Sequence, residues 1–136
     1  RLERWWDEID ILVSLHRSEG FGLVPAEAML REIPVISTDW SATAEMVSEA
    51  TGWPVPARLV PVHDATGRYE LPGARWADPD VAAAAGRMRE AASDPGEVSR
   101  RGRAARAFIL DAFSVERLRR QIAAPDVLAP EEIGPT

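Results

Sequence analysis

The sequence contains no cysteine and no lysine. The first absence removes disulfides, thiolate metal sites and cysteine nucleophiles from consideration. The second makes all 16 basic residues arginine, a compositional bias in an alanine- and proline-rich chain from which no chemistry is read. Basic charge is also outweighed: 22 acidic residues give a net charge of −6. No basic stripe dominates and the aromatics are not interleaved with one, which argues against nucleic acid as a partner. No apolar run approaches the ~20 residues of a membrane-spanning helix. The chain does not open on methionine and carries no signal-peptide pattern. No G-x-G-x-x-G follows a strand, which disfavours a dinucleotide-dependent oxidoreductase. What remains is 136 residues, 46% hydrophobic, enough for one domain that buries roughly two-thirds of its unfolded surface.

Periodicity orders the elements. Leu2, Trp5, Trp6 and Ile9 share a helix face, and residues 11–15 (Ile-Leu-Val-Ser-Leu) form a short apolar run that predicts a buried strand. A helix is expected over residues 25–31, with Pro25 in the first turn, where its missing N–H costs nothing. Residues 34–38 predict a strand buried on both faces, 42–49 a short helix, and 52–55 a third, weaker strand. The stretch 58–74 is rich in Gly, Pro and Asp and reads as a loop or irregular hairpin. Helices follow from Asp78-Pro79 through residue 92, from Pro95 to about Phe113, and from Ser114 to Ala123. Alternating strands and helices imply an α/β fold, half of a doubly wound, Rossmann-like parallel sheet with C-terminal helices. The domain is placed at 1–124, and the proline- and acid-rich tail 125–136 is expected to fray. A complete nucleotide-binding domain of this class needs more strands, which would precede Arg1.

One segment carries chemistry. In Glu19-Gly20-Phe21-Gly22-Leu23-Val24-Pro25-Ala26-Glu27, two carboxylates bracket a tight turn between a buried strand and a helix N-terminus. In an open α/β sheet free backbone N–H groups and the helix dipole converge at such a point, which suits a phosphate. The carboxylates would repel phosphate but can accept hydrogen bonds from hydroxyls on either side of it. A ligand with phosphates in the middle and hydroxyls at both ends is a nucleotide-sugar. The plainer alternative is a surface turn in which Glu27 complements the helix dipole.

The block Ser14-Leu15-His16-Arg17-Ser18-Glu19-Gly20-Phe21-Gly22-Leu23, then Ala26-Glu27-Ala28-Met29 and Pro34-Val35-Ile36-Ser37-Thr38, resembles the retaining glycosyltransferases of the GT-B fold, group-four type, with their E-x7-E motif. The bacterial enzymes of this type build cell-surface polysaccharides, and Leu59-Val60-Pro61-Val62 and Trp76-Ala77-Asp78-Pro79-Asp80 also resemble a subset of the family. The resemblance covers most of residues 5–124. It implies the second half of a C-terminal, donor-binding domain, with an acceptor-binding N-terminal domain as its partner. It implies that Glu19 is catalytic, lying against the sugar ring. Backbone amides of Gly20, Phe21 and Gly22 would contact the sugar, those of Leu23 and Val24 the diphosphate, and Glu27 the ribose hydroxyls. No metal and no cofactor beyond the nucleoside-diphosphate sugar are implied. The cytoplasm is the expected location, with peripheral contact at the inner membrane face. The family's diphosphate-neutralising Arg and Lys would lie upstream of Arg1, so the chain alone is expected to bind weakly and transfer nothing. An inert binding or assembly module that keeps the fold is the alternative.

Several residues carry weaker signals. His16 could contact the donor or hold the local backbone, and Arg17 could approach the diphosphate or be an ordinary surface arginine. Of the five tryptophans, expected in core or interdomain packing, Trp40 is the one positioned to meet a ligand. Glu32 stands where the family usually has Gly, at a cost of roughly 1 kcal/mol if the residue is left-handed. The usual Gly-rich turn after the second strand is replaced by residues 39–43. Asp78-Pro79-Asp80 spells D-x-D, but Asp before Pro at a helix start reads as an N-cap rather than a metal pair. The arginines between Arg87 and Arg120 read as a solvated helix face, with contact to an acidic membrane as the minority reading. Val115, Leu118 and Ile122 form an amphipathic stripe expected to face the core or the absent domain.

Overall fold

A computed structural model describes residues 2–123. Three parallel strands, β1 (Leu12–Ser14), β2 (Val35–Thr38) and β3 (Gly52–Val55), form a sheet in the order β1-β2-β3. The central strand β2 is buried at every residue, the two apolar residues Val35 and Ile36 followed by the small hydroxyl residues Ser37 and Thr38. Its side chains alternate between two cores. Val35 packs in a cluster with Met29, Val47, Ala105 and Ile109, while Ile36 joins Trp53, Val55, Ala84 and Ala91. Helices α2 (Leu23–Leu30) and α4 (Pro95–Ala112) cover the first face, and α3 (Val81–Ser93) the second. The chain opens with α1 (Leu2–Trp6) and the described part closes with α5 (Val115–Ala123). This is the α/β, Rossmann-like half-domain with C-terminal helices that the patterning implied. The tail 125–136 lies outside the described residues.

Helix α2 begins two residues earlier than Pro25 suggests. Gly22 is its N-cap at φ 84, left-handed, and Pro25 is the third helical residue. The helix ends on paired bonds from Glu32 N to Met29 O (3.1 Å) and Ile33 N to Ala28 O (3.0 Å), the Schellman arrangement. Glu32 sits at φ 61, so it does occupy the left-handed position where glycine is usual. The packing explains why this end is fixed: the carbonyl of Glu32 lies directly over the Cα of Gly102 in α4. A Cβ at 102 would fall closer to that oxygen than Cβ atoms tolerate. Helix propensity alone predicts that Gly102→Ala stabilises by about 1 kcal/mol. Overpacking against a backbone carbonyl reverses the sign, and we expect a net loss of about 1–2 kcal/mol in urea unfolding.

Three expectations need correction. Residues 42–49 do not form an α-helix; a short 3-10 helix spans Ser41–Glu45. Beyond it, Thr51 Oγ1 donates to Met46 O (2.8 Å) and accepts from Ser48 N (3.0 Å). Side-chain hydroxyls satisfy the backbone locally, and the helix loses its advantage. Residues 75–79 are not a loop running into a helix but a strand. β4 (Ala57–Pro61) and β5 (Arg75–Pro79) form an antiparallel hairpin, with prolines at the strand ends where a ladder donor is dispensable. The cap of α3 is therefore Asp80, whose Oδ1 accepts from Ala83 N at 2.9 Å, and not Asp78, whose carboxylate accepts from Arg58 at 2.9 Å. Finally, of the two faces expected for Val115, Leu118 and Ile122, the core is excluded: each is more than half exposed among the described residues.

Among the tryptophans, Trp6 and Trp53 are buried in the two cores, while Trp5 and Trp40 are substantially exposed. The arginines of α4 are not uniformly a solvated face. Arg101 is buried, its guanidinium 4.3 Å from the Trp53 ring and paired with Glu97 at 2.7 Å and Glu49 at 3.2 Å.

Candidate functional site

Loops leaving the C-terminal ends of β1 and β2 meet at the edge of the sheet, the position where open α/β folds bind ligands. The segment 15–22 from β1 is clamped by the segment 39–46 from β2. Thr38 Oγ1 donates to His16 O at 2.7 Å, and Ser41 Oγ donates to Glu19 O at 2.5 Å. His16 Nε2 lies 2.6 Å from Thr43 Oγ1 and 3.5 Å from Ser37 Oγ. Thr43 Cγ2 and Met46 Cε close over Gly22 at 3.0 and 3.1 Å from where a Cβ would stand. Gly22 is thus required twice, by its φ and by its neighbours. Ser41 reaches the clamp from a left-handed backbone, φ 62, a strained conformation for a non-glycine residue. The loop 39–43 that replaces a Gly-rich turn therefore has a definite task, which is to hold the acidic turn. The clue in the sequence was the density of hydroxyls in Ser37, Thr38, Ser41 and Thr43, which sequence reasoning did not single out.

The turn itself is available to a ligand. A Cβ at Gly20 would meet no atom within 4 Å, so no protein neighbour explains that glycine. The first helical bond of α2 runs from Ala26 N to Gly22 O at 2.9 Å. The Ala26 amide is thereby satisfied within the helix and is not free for a ligand. The N–H groups of Leu23 and Val24 precede that bond, and neither finds a protein acceptor among the described residues. Glu19 is half-buried, with its side-chain stem folded over Gly22, and Glu27 is exposed on the first turns of α2. Neither carboxylate hydrogen-bonds or pairs with another described residue. Phe21 is held from outside by Phe113 at the end of α4, ring centroids 5.2 Å apart at 68°.

His16, Arg17 and Trp40 separate into different roles. Thr43 has one hydroxyl proton, and its oxygen lies 3.1 Å from both Thr38 O and Trp40 O. With the hydroxyl proton directed to a carbonyl, His16 Nε2 is the donor in the short bond to Thr43. Its Nδ1 is then a buried lone pair without a partner. Burial pushes the His16 imidazole below its ordinary 6.5, and the nearby Glu19 carboxylate, a smaller influence, acts in the opposite direction. A lowered folded value means that His16 contributes stability above 6.5 that is lost as pH falls through the folded pKa. In an NMR titration the His16 midpoint is expected below 6.5, and Glu19→Gln should lower it further. A midpoint that rises in that variant would contradict the assignment. Arg17 does not face the acidic turn. Its Nε donates to Ala77 O at 3.0 Å and its guanidinium lies 4.5 Å from the Trp76 ring. Trp40 is 37% exposed on the clamping loop, at the rim of the site.

Residues 1–68, which contain β1, α2, β2, β3 and both glutamates, match the family described as "Glycosyl transferases group 1". The chain belongs to this family. A stretch of 51 residues is 47% identical to the "Lipopolysaccharide core biosynthesis mannosyltransferase LpsB" of Rhizobium meliloti (strain 1021), covering 35% of this chain and 14% of that protein. The chain thus aligns with a small part of its relative's length. In this group 1 glycosyl transferase chain, strand β5 and helices α3–α5 lie beyond the family match. No described helix is long and apolar enough to cross a membrane. The D-x-D pattern is dismantled by the fold, since Asp78 pairs with Arg58 and Arg17 while Asp80 caps α3.

Proposed function

We propose that this chain is the donor-binding part of a retaining, metal-independent glycosyltransferase of the GT-B type. It would take a nucleoside-diphosphate sugar and transfer the sugar to a glycan or lipid-linked acceptor in cell-surface polysaccharide synthesis. The acceptor is held by an N-terminal domain, and the enzyme works in the cytoplasm, with peripheral contact at the inner membrane face. The observation that carries this reading is the arrangement of the acidic turn. Two carboxylates without partners among the described residues flank amides that meet no described acceptor at a helix start, and hydroxyl side chains from β2 and the loop after it hold the turn in place.

In this reading Glu27 accepts hydrogen bonds from the ribose hydroxyls and Leu23 and Val24 donate to the diphosphate. Gly20 leaves room for the sugar, whose hydroxyls bond to Glu19 and to the amides of Gly20, Phe21 and Gly22. The bond from the anomeric carbon to the phosphate oxygen breaks, and the acceptor oxygen bonds to that carbon from the same face. The acceptor proton passes to the departing phosphate. Glu19 stabilises developing positive charge on the ring and the amides stabilise negative charge on the leaving group.

Calorimetric titration of the chain with nucleoside-diphosphate sugars and free nucleoside diphosphates tests the site. Charge-assisted hydrogen bonds of about 1.5–3 kcal/mol make Glu27→Ala weaken binding by roughly 10–100-fold. The competing reading, an inert module, is favoured by one observation. Arg17 is committed to β5, so the described turn supplies the diphosphate with no cation of its own. Absence of saturable binding by any nucleotide decides for that module.

A further inference from the structure

The hairpin β4–β5 is not used by the donor site, yet it is docked onto the strand-to-turn connection that leads to Glu19. Ala77 N donates to Arg17 O at 2.8 Å, and Arg17 Nε returns a bond to Ala77 O at 3.0 Å. The hairpin and this connection enclose a pocket of about 510 Å³ lined by Arg17, Ser18, Val62, Tyr69, Arg75 and Trp76. That volume is within the ~300–1,000 Å³ of small-molecule sites. One of its walls, Ser18, is the residue before Glu19.

The lining has a distinct chemistry. Trp76 and Tyr69 supply aromatic surface, and Tyr69 is 60% exposed, so packing does not account for it. Arg75 donates to Leu59 O at 2.6 Å but has no carboxylate partner among the described residues. The acid partner of Arg17 is Asp78, at 3.5 Å, which Arg58 holds more closely at 2.9 Å. The lining therefore holds two guanidinium groups and no carboxylate, while the neighbouring Asp64 is occupied in accepting from Tyr69 N at 3.2 Å. Aromatic faces match the C–H faces of a pyranose, and guanidinium groups match carboxylate or phosphate oxygens.

We propose that this pocket binds an anionic saccharide, a sugar unit carrying a carboxylate or phosphate. This binding does not rest on the donor-site reading above.

The test is an NMR titration of the chain with methyl glucuronide, glucose 1-phosphate and neutral methyl glucoside. Saturable shifts of the Trp76 indole are expected with an anionic sugar, at roughly tenfold higher affinity than with methyl glucoside. The tighter of the two anionic ligands identifies carboxylate or phosphate as the source. Arg75→Gln, at an exposed position, should remove this preference, and Glu27→Ala should leave it intact. Equal affinity for neutral and anionic sugars, or an unchanged preference in Arg75→Gln, overturns the proposal. Nucleotide-sugar titration separates the two readings. If nucleotide-sugar fails to bind while the anionic sugar still does, the donor site falls and this pocket stands.

Discussion

Arg101→Ala is expected to lower the free energy of unfolding by about 3 kcal/mol, the largest loss of stability among single substitutions considered for this chain. Arg101 is on α4 with its side chain 8% exposed, yet it touches three other parts of the fold. Its Nε donates to Glu97 at 2.7 Å, one terminal nitrogen donates to Glu49 at 3.2 Å and to the carbonyl of Gly52 in β3, and the other lies 3.5 Å from Glu90 of α3. The guanidinium also stacks on Trp53, whose indole N–H donates to Glu90 at 2.9 Å. Truncation leaves the Gly52 carbonyl without this donor and opens a gap against the ring. The acids remain partly solvated, with side chains 57%, 44% and 27% exposed for Glu49, Glu90 and Glu97, so they relax into water. That holds the cost at the lower end of the 3–5 kcal/mol typical of broken buried pairs. Arg101→Met keeps the stem over Trp53 and should recover part of the loss. A midpoint in urea unchanged for Arg101→Ala would show that the network is ornamental.

The same cluster has a pH signature. The Glu97 carboxyl is pushed down to about 2, first by its hydrogen bonds with Arg100 and next by those with Arg101. A depressed folded value contributes stability above the ordinary 4.5 that is lost only as pH falls towards about 2. Removing Arg101 should move the Glu97 titration upward, a change visible by carboxyl NMR even if the fold survives.

Glu19→Ala is expected to produce the largest functional effect. In the proposed enzyme, which joins this chain to an acceptor-binding domain, kcat should fall by roughly 10²–10³-fold, the scale of losing one preorganised electrostatic contact to the transition state. Binding of the nucleoside-diphosphate sugar should change only a few-fold, since in the proposed reading the nucleotide is held at Glu27 and at the amides of Leu23 and Val24. The geometry favours this division. Glu19 is half-buried, its carbonyl is pinned by Ser41, and its stem rests on Gly22. A carboxylate on such a fixed backbone can act on developing charge without reorganising. Glu19→Gln retains hydrogen-bonding capacity and removes charge, so an intermediate kcat is expected. A Glu19→Ala enzyme with normal kcat would end the assignment of Glu19 to the transition state.

Legibility followed the range of the interactions. Strand β2 was readable because five apolar and small residues in succession suit a strand covered on both faces. The left-handed position at Glu32 was signalled only by the resemblance, in which Gly usually stands at this helix end. Loop and hairpin stayed open as alternatives, and the strand at 75–79 was missed, because prolines and glycines in residues 56–79 carry the same local signal in a loop and in edge strands. Only the register of Ala57 opposite Pro79 distinguishes the two. Assigning the cap to Asp78 failed for the same reason: two aspartates bracket Pro79, and the length of the strand decides which reaches the helix.

The sequence by itself determined the strand, the acidic turn and the helix start, and with them the family. Glycine at a left-handed cap, proline in a first turn and an apolar run before them act within a few residues, so their consequences can be read in order. The tertiary structure decided which charges serve that turn. It buried Arg101 beneath Trp53, turned Arg17 away onto Trp76, and brought Ser41 and Thr43 across to hold Glu19 and His16. Those partners are 22 to 59 residues apart in the chain. A guanidinium or hydroxyl carries no local mark of which distant carbonyl, ring or carboxylate it will meet; that depends on how the sheet and helices stack.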